Sequence, residues 1–325
     1  KNMKKLFNLR SLMWLLSFGL LATTITSCDK DDDPAPAEKN IVQTAQSDPN
    51  FSILVAAVVK TGLTDALANT SNLTVFAPVN SAFTAIGYTE ASINALTNPA
   101  DIAALKSVLQ YHVLAERIPA SAITTANIEK TTLNTQKLYA TKTSSGVYIN
   151  GVNVVAADVS ASNGVIHAVG KVLLPPAGNL RETAIATPGF SLLVAAVLRA
   201  DAGTPANEVS NALTGAGPLT VFAPTDAAFI AAGFPDAAAI NAADPAVLKK
   251  ILFYHVIPAR VFSCDLVNNS TPVTALGGAQ TVKITLPPAR VTGLSNGTNA
   301  SNITATDIVA TNGTLHVIDR LLLPQ

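Results

Sequence analysis

Four histidines are the side chains of this sequence best suited to acid–base or metal chemistry, and they form two matched pairs. His112 and His255 each follow a tyrosine, in Tyr111-His112-Val113 and Tyr254-His255-Val256. His167 and His316 each end an Asn-Gly-x-x-His run, at 163–167 and 312–316, and Asp158 and Asp307 precede them at equal spacing. Two imidazoles per unit could move protons, or hold a cation if a carboxylate supplied a third ligand. The competing reading is structural. A buried imidazole needs hydrogen-bond partners, and Asp158 with His167, and Asp307 with His316, would form carboxylate–imidazole pairs tying strands to a helix. This reading is the stronger one. No His-Glu-x-x-His or phosphate-binding glycine loop occurs. Hence no catalytic residue, no metal site and no cofactor is assigned.

The elements that must position these residues are written twice. Phe51–Lys60 returns as Phe190–Arg199, Leu73–Pro78 as Leu219–Pro224, Tyr111–Val113 as Tyr254–Val256, and Asn163–His167 as Asn312–His316. Each unit is about 140 residues, the size of an independent domain. Phe51, Leu54, Val55, Val58 and Val59 recur at helical spacing. Asp48-Pro49, and Thr187-Pro188 before the copy, read as an N-cap followed by Pro at the first helical position. A second helix opens at Asp101, its copy at Asp244-Pro245, with a Tyr-His pair near the end of each. Leu73–Phe76 reads as a strand stopped by Pro78. Val147–Val154 reads as a hairpin turning at Asn150-Gly151. Thr74 and Thr220, and the Asn80/Asp226 pair, read as turn and cap residues. Helices precede most strands, which predicts α+β rather than alternating βαβ. The predicted organisation is 1–27 leader, 28–39 tether, 40–176 first domain and 177–325 second domain. The proline-rich junction at 175–178 predicts a restricted interdomain angle.

Composition narrows the function classes. Lys+Arg and Asp+Glu balance at 21 each and charged residues are only 13%, which excludes a charged disordered tail protein and argues against nucleic acid as a partner. Two cysteines cannot build a disulfide framework. Cys264 reads as a small buried residue. The only Trp, Trp14, lies in the first thirty residues, so a mature chain would offer few stacking platforms for sugars.

That leader has a basic start (Lys4, Lys5, Arg10) and an apolar core, Leu12–Ala22, too short to span a bilayer. With Ile25-Thr26-Ser27-Cys28 behind it, the segment resembles a bacterial lipoprotein signal. The resemblance implies cleavage before Cys28 and lipid on that residue, giving a membrane anchor. The acidic run Asp29–Asp33 is similar to the surface-export signal of Bacteroidota lipoproteins, and with the Pro/Ala stretch behind it reads as an extended tether. The expected location is the outer membrane, facing outward.

Thr74–Phe83 and Thr220–Phe229, the two Tyr-His pairs, and the Asn-Gly-x-x-His through Leu-Leu-Pro runs at 163–175 and 312–324 resemble the three signatures of the fasciclin domain family. The resemblance covers roughly residues 40–325. It implies a β-sandwich or wedge with packed helices, and a cell-surface adhesion role with protein or matrix partners. It also implies partner contact at Tyr111, His112, Tyr254 and His255. The second unit is nearer the pattern, with Asp319 where the first has Gly170. The alternative function is capture of a glycan or small apolar ligand at the outer membrane.

Overall fold

The computed structural model describes residues 38–275 and 279–325. The leader, Cys28 and most of the tether lie outside the described residues. Residues 38–325 form one compact unit holding both repeats. The first repeat runs α1 (Ile41–Gln46), α2 (Ser52–Lys60), α3 (Thr64–Asn69), β1 (Leu73–Pro78), α4 (Asn80–Thr84), α5 (Glu90–Asn94), α6 (Pro99–Tyr111), β2 (Val113–Leu114), β3 (Ile128–Thr131), β4 (Lys137–Thr143), β5 (Gly146–Ile149), β6 (Val152–Ala161) and β7 (Gly164–Val169). The second runs α7 (Leu180–Ala186), α8 (Ser191–Asp201), α9 (Glu208–Thr214), β8 (Leu219–Pro224), α10 (Asp226–Ala231), α11 (Ala237–Ala242), α12 (Pro245–Tyr254), β9 (Val256–Ile257), β10 (Val282–Thr285), β11 (Arg290–Gly293), β12 (Ser301–Ala310) and β13 (Gly313–Ile318).

Each repeat is an α+β wedge. Its sheet has the order β2-β1-β7-β6-β5-β4-β3 in the first and β10-β11-β12-β13-β8-β9 in the second. Among the described residues only the β1–β7 and β8–β13 pairs are parallel. The sheet folds over at its longest strand, β6 or β12, where the register against the next strand slips twice. One apolar core, with Leu54, Phe83 and Leu109, joins the helices to one face. A second, with Phe76, Tyr111, Leu138 and Ile149, fills the wedge between the two halves of the sheet. The second repeat has the same two cores.

Local chemistry explains the element ends, with three differences from the sequence reading. The hairpin turns where expected, since Asn150 and Gly151 both take positive φ (49° and 78°) as a type I′ turn requires. However, α6 starts at Pro99 rather than at Asp101, because the Asn98 side chain accepts from the Ala100 N–H at 3.0 Å. Asp48 caps a short 3₁₀ turn ahead of α2, and Thr187 ends α7 instead of starting α8. Helix α2 is rotated from the predicted face: Ile53, Leu54, Ala57 and Val58 are buried while Val59 is 60% exposed. A helix apolar on every side carries no periodic signal that could orient it.

Candidate functional site

The histidines build two kinds of internal tie. His112 caps the C-terminus of α6, with its Nδ1–H donating to the Val108 carbonyl at 2.7 Å. Its Nε2 accepts from the Leu173 N–H at 2.9 Å. That N–H can only donate, so it fixes the neutral tautomer. His255 does the same between Ile251 and Leu322 (2.8 and 2.9 Å). Burial holds both imidazoles down at about 4, partly offset by the bond to the carbonyl. They are therefore neutral rivets joining a helix end to the Leu-Leu-Pro segment. Tyr111 and Tyr254, fully buried, extend the tie. Tyr111 Oη donates to the Lys137 carbonyl at 2.7 Å and accepts from Asn150 Nδ2 at 2.9 Å. Tyr254 Oη joins Thr281 to Leu294. Burial raises the pKa of both phenols. The resemblance implied partner contact at these four positions. The structure places all four in the interior, with exposures of 0–2%.

The second pair differs from the carboxylate–imidazole expectation. Asp158 reaches His167 through its backbone: its N–H donates to Nδ1 at 3.1 Å, and Nε2–H donates to the Ile118 carbonyl at 2.8 Å. Asp307 and His316 repeat this at 3.3 and 2.9 Å. Both aspartates sit with positive φ (57° and 65°) in the irregular stretch of β6 or β12, which turns the amide inward. The carboxylates face elsewhere. Asp158 accepts from the Ala120 N–H, and Asp307 from the Ser263 N–H and hydroxyl. Burial depresses the His316 pKa, against the pull of Asp307.

Several framework residues were read differently in the sequence. Thr74 and Thr220 are buried strand residues rather than caps. Thr74 Oγ1 donates to the Glu116 carbonyl at 2.6 Å and accepts from the Ile118 N–H, and Thr220 spans Ala259 and Val261 alike. Asn80 and Asp226 cap helices other than their own, accepting from Ile53 N–H (3.1 Å) and Leu192 N–H (2.7 Å). Asn163 accepts from Ile41 N–H and donates to the Leu67 and Thr70 carbonyls, and Asn312 does the equivalent for Leu180, Leu213 and Gly215. The repetition of these residues was the available signal. Among the described residues every buried side-chain N or O has a partner, and no three His, Cys, Asp or Glu gather as a metal site.

The chain matches the fasciclin domain model over residues 49–175 and again over 188–324. It belongs to the fasciclin family. Protein sll1483 of Synechocystis is 34% identical over 156 residues, 48% of this chain and 84% of that protein. Pig transforming growth factor-beta-induced protein ig-h3 is 35% identical over 147 residues, 45% of this chain but 21% of its own length. Human periostin is 27% identical over 292 residues, 90% of this chain and 32% of periostin. The chain thus spans a third or less of the two vertebrate relatives. A FAS1 domain pair from the insect cell adhesion molecule fasciclin I aligns over 84% of this chain and 97% of that chain at 19% identity, with a TM-score of 0.41.

The surface of each fasciclin domain carries an apolar cleft of about 40 Å³ between α2 or α8 and the parallel strands, with His112 or His255 at its floor. That is far below the ~300 Å³ of a small-molecule pocket. The rims are exposed: Val59 in domain 1, and Leu198 and Ile185 (54% and 53%) in domain 2. A larger crevice of about 380 Å³ lies between the domains, lined by Asn150, Lys171 and Asp307 among others, and the side chains of Asn150 and Asp307 are already hydrogen-bonded. Where the domains meet, Arg260 lies 4.1 Å over the Tyr139 ring, Phe262 packs 6.0 Å from it, and Asn127 donates to Asp265. Cys264 is half-buried there, its thiol pushed up to about 12 by burial and then by Asp265 and Asp307. It is not a reactive thiolate. Among the described residues no helix is long and apolar enough to cross a membrane.

Proposed function

We propose that this protein is a lipid-anchored, outward-facing interaction protein whose two fasciclin domains bind protein or matrix partners without catalysis. One observation carries the reading. In both domains the histidines, tyrosines and aspartates that could do chemistry are bound up in the frame, while apolar rims at matched positions, Val59 and Leu198, face water. Exposed apolar surface with saturated polar groups beneath it suits contact rather than turnover. Family membership supports the same class, and the lipoprotein-like leader supports anchoring through Cys28. Tyr111, His112, Tyr254 and His255 then act indirectly, by holding the surface that the partner meets.

Protease treatment of intact cells tests the location. The body is cut while a periplasmic marker survives, and Cys28→Ser releases the protein from the membrane fraction. Resistance until the outer membrane is opened would move the protein to the periplasm and end the adhesion reading. For the surface itself, Val59→Asp with Leu198→Asp lowers adherence of cells to a matrix-coated support while melting is unchanged. Unaltered adherence would remove the rims from the binding surface.

A further inference from the structure

We propose that Arg260 is a latch that joins the two fasciclin domains into one co-operative body and fixes which face of each domain can dock on the other. The latch is held from behind by its own domain. Its guanidinium donates to the Gly313 carbonyl at 2.5 Å and the Thr311 carbonyl at 3.3 Å, in the turn between β12 and β13. Braced there, its flat face covers the Tyr139 ring on β4 of domain 1. A cation over an aromatic face, shielded from water, is a strong use of this pairing. Phe262, which has no exposed surface, fills in beside it. The Asn127–Asp265 hydrogen bond at 3.1 Å closes one flank. On the other, Gly151 lies so close to Asp307 that a Cβ would fall 2.5 Å from its carboxyl carbon.

The repeat supplies an internal control. The Thr74 and Thr220 ties make Arg117 the counterpart of Arg260 and Pro119 that of Phe262. The tyrosine ties to Lys137 and Thr281 make Lys283 the counterpart of Tyr139. Arg117, Pro119 and Lys283 are all exposed. Arg117 reaches only Ser160 Oγ, at 3.4 Å. Docking the other way round would bring Arg117 onto Lys283, cation against cation, with no ring to cover. The contact is therefore directional. It cannot be repeated by a second copy using the two free faces, so the pair is closed. One consequence bears on the proposed function, on which the latch itself does not depend: the rims of the two domains are held at a fixed spacing, as bivalent binding requires.

Calorimetry and small-angle scattering on residues 38–325 test the latch. The unaltered protein unfolds in one transition whose van't Hoff and calorimetric enthalpies agree. Arg260→Ala splits it in two and broadens the interdomain distance distribution. Tyr139→Leu, on the opposite domain, does the same without touching the β12–β13 turn, lowering the first midpoint by about 3–6 °C. The two changes together cost no more than Arg260→Ala alone. Arg117→Ala and Lys283→Ala leave one transition. Two independent transitions in the unaltered protein would overturn the proposal. So would a single unshifted transition in Tyr139→Leu, or additive losses in the double variant.

Discussion

Domain 1 presents Pro119 to water at the position where domain 2 drives Phe262 into a neighbouring hairpin, and domain 2 leaves Lys283 exposed where domain 1 offers Tyr139. A few residues away the domains are indistinguishable. Thr74 and Thr220, His112 and His255, and Asn163 and Asn312 make the same bonds to the same backbone groups at nearly the same distances. The contrast separates two demands on one fold. Side chains that satisfy buried backbone groups are held to one type, because any other leaves an unpaired donor or acceptor in the interior. Side chains on the outer faces are released, and there the two copies took different partners.

If that division is right, breaking the frame should cost both domains alike. His112→Ala and His255→Ala each orphan a buried N–H, at Leu173 or Leu322, and leave a hole the size of the ring. A loss of about 3–5 kcal/mol is expected in the affected domain. Calorimetry on residues 38–325 would show it. Unequal losses would mean that one histidine does something besides riveting.

Acid should act on the same rivets without mutation. Each imidazole is held down at about 4 in the fold, against about 6.5 when unfolded. Above pH 6.5 both states are neutral and the stabilisation is complete. As the pH falls towards 4 the unfolded chain takes up protons that the folded chain refuses, so stability drops, by roughly 3 kcal/mol per domain. Denaturant midpoints measured between pH 7 and 4 should fall together for both domains. In His112→Ala the fall should shrink by less than half, because His316, also held down by burial, still contributes. A midpoint flat across that range would show that the imidazoles are not buried neutral.

Gly164 and Gly313 offer a milder break. A Cβ at either would fall inside the carbonyl oxygen of Leu73 or Leu219 on the adjoining parallel strand. Alanine there should cost about 2–3 kcal/mol by forcing the strands apart. Loss of amide protection confined to β1 and β7, or to β8 and β13, would locate the damage.

How much of this could be read from residues alone follows the same division. The repeat exposed the frame, because Tyr111-His112, Asn163-Gly164 and their copies are the segments that cannot change. The I′ turn at Asn150-Gly151 and the α+β order were legible from local chemistry. What each frame residue bonds to was not. The bond from Asp158 to His167 runs through an amide turned inward by a positive φ inside a bulge, which the side-chain type does not reveal. Asn80 caps α2 across a gap in sequence that no local capping rule covers. The interdomain contact was hidden for the opposite reason: Tyr139 and Phe262 are not repeated. An aromatic on one copy facing a lysine or proline on the other was the signal available.

The smallest effect gives the sharpest test, because it concerns a frame position where the domains differ. Asp226 accepts from both the Leu192 N–H and the Ser191 hydroxyl at the start of α8, and its charge also favours the positive end of that helix. Asn80 accepts one N–H and spends its amide donating to the Pro49 carbonyl at 2.9 Å. Exchanging them should therefore not be symmetrical. Asp226→Asn keeps one acceptor but loses the charge, at a cost of about 0.5–1 kcal/mol. Asn80→Asp gains the charge but sets a carboxylate against the Pro49 carbonyl, so the gain and the repulsion should nearly cancel. Hydrogen exchange at the Leu192 and Ile53 amides reads each cap directly. Faster exchange at Leu192 in Asp226→Asn, with Ile53 little changed in Asn80→Asp, would show that each residue is fitted to its own domain. Equal and opposite changes would show instead that the two caps are interchangeable, and that the difference between the domains stops at their surfaces.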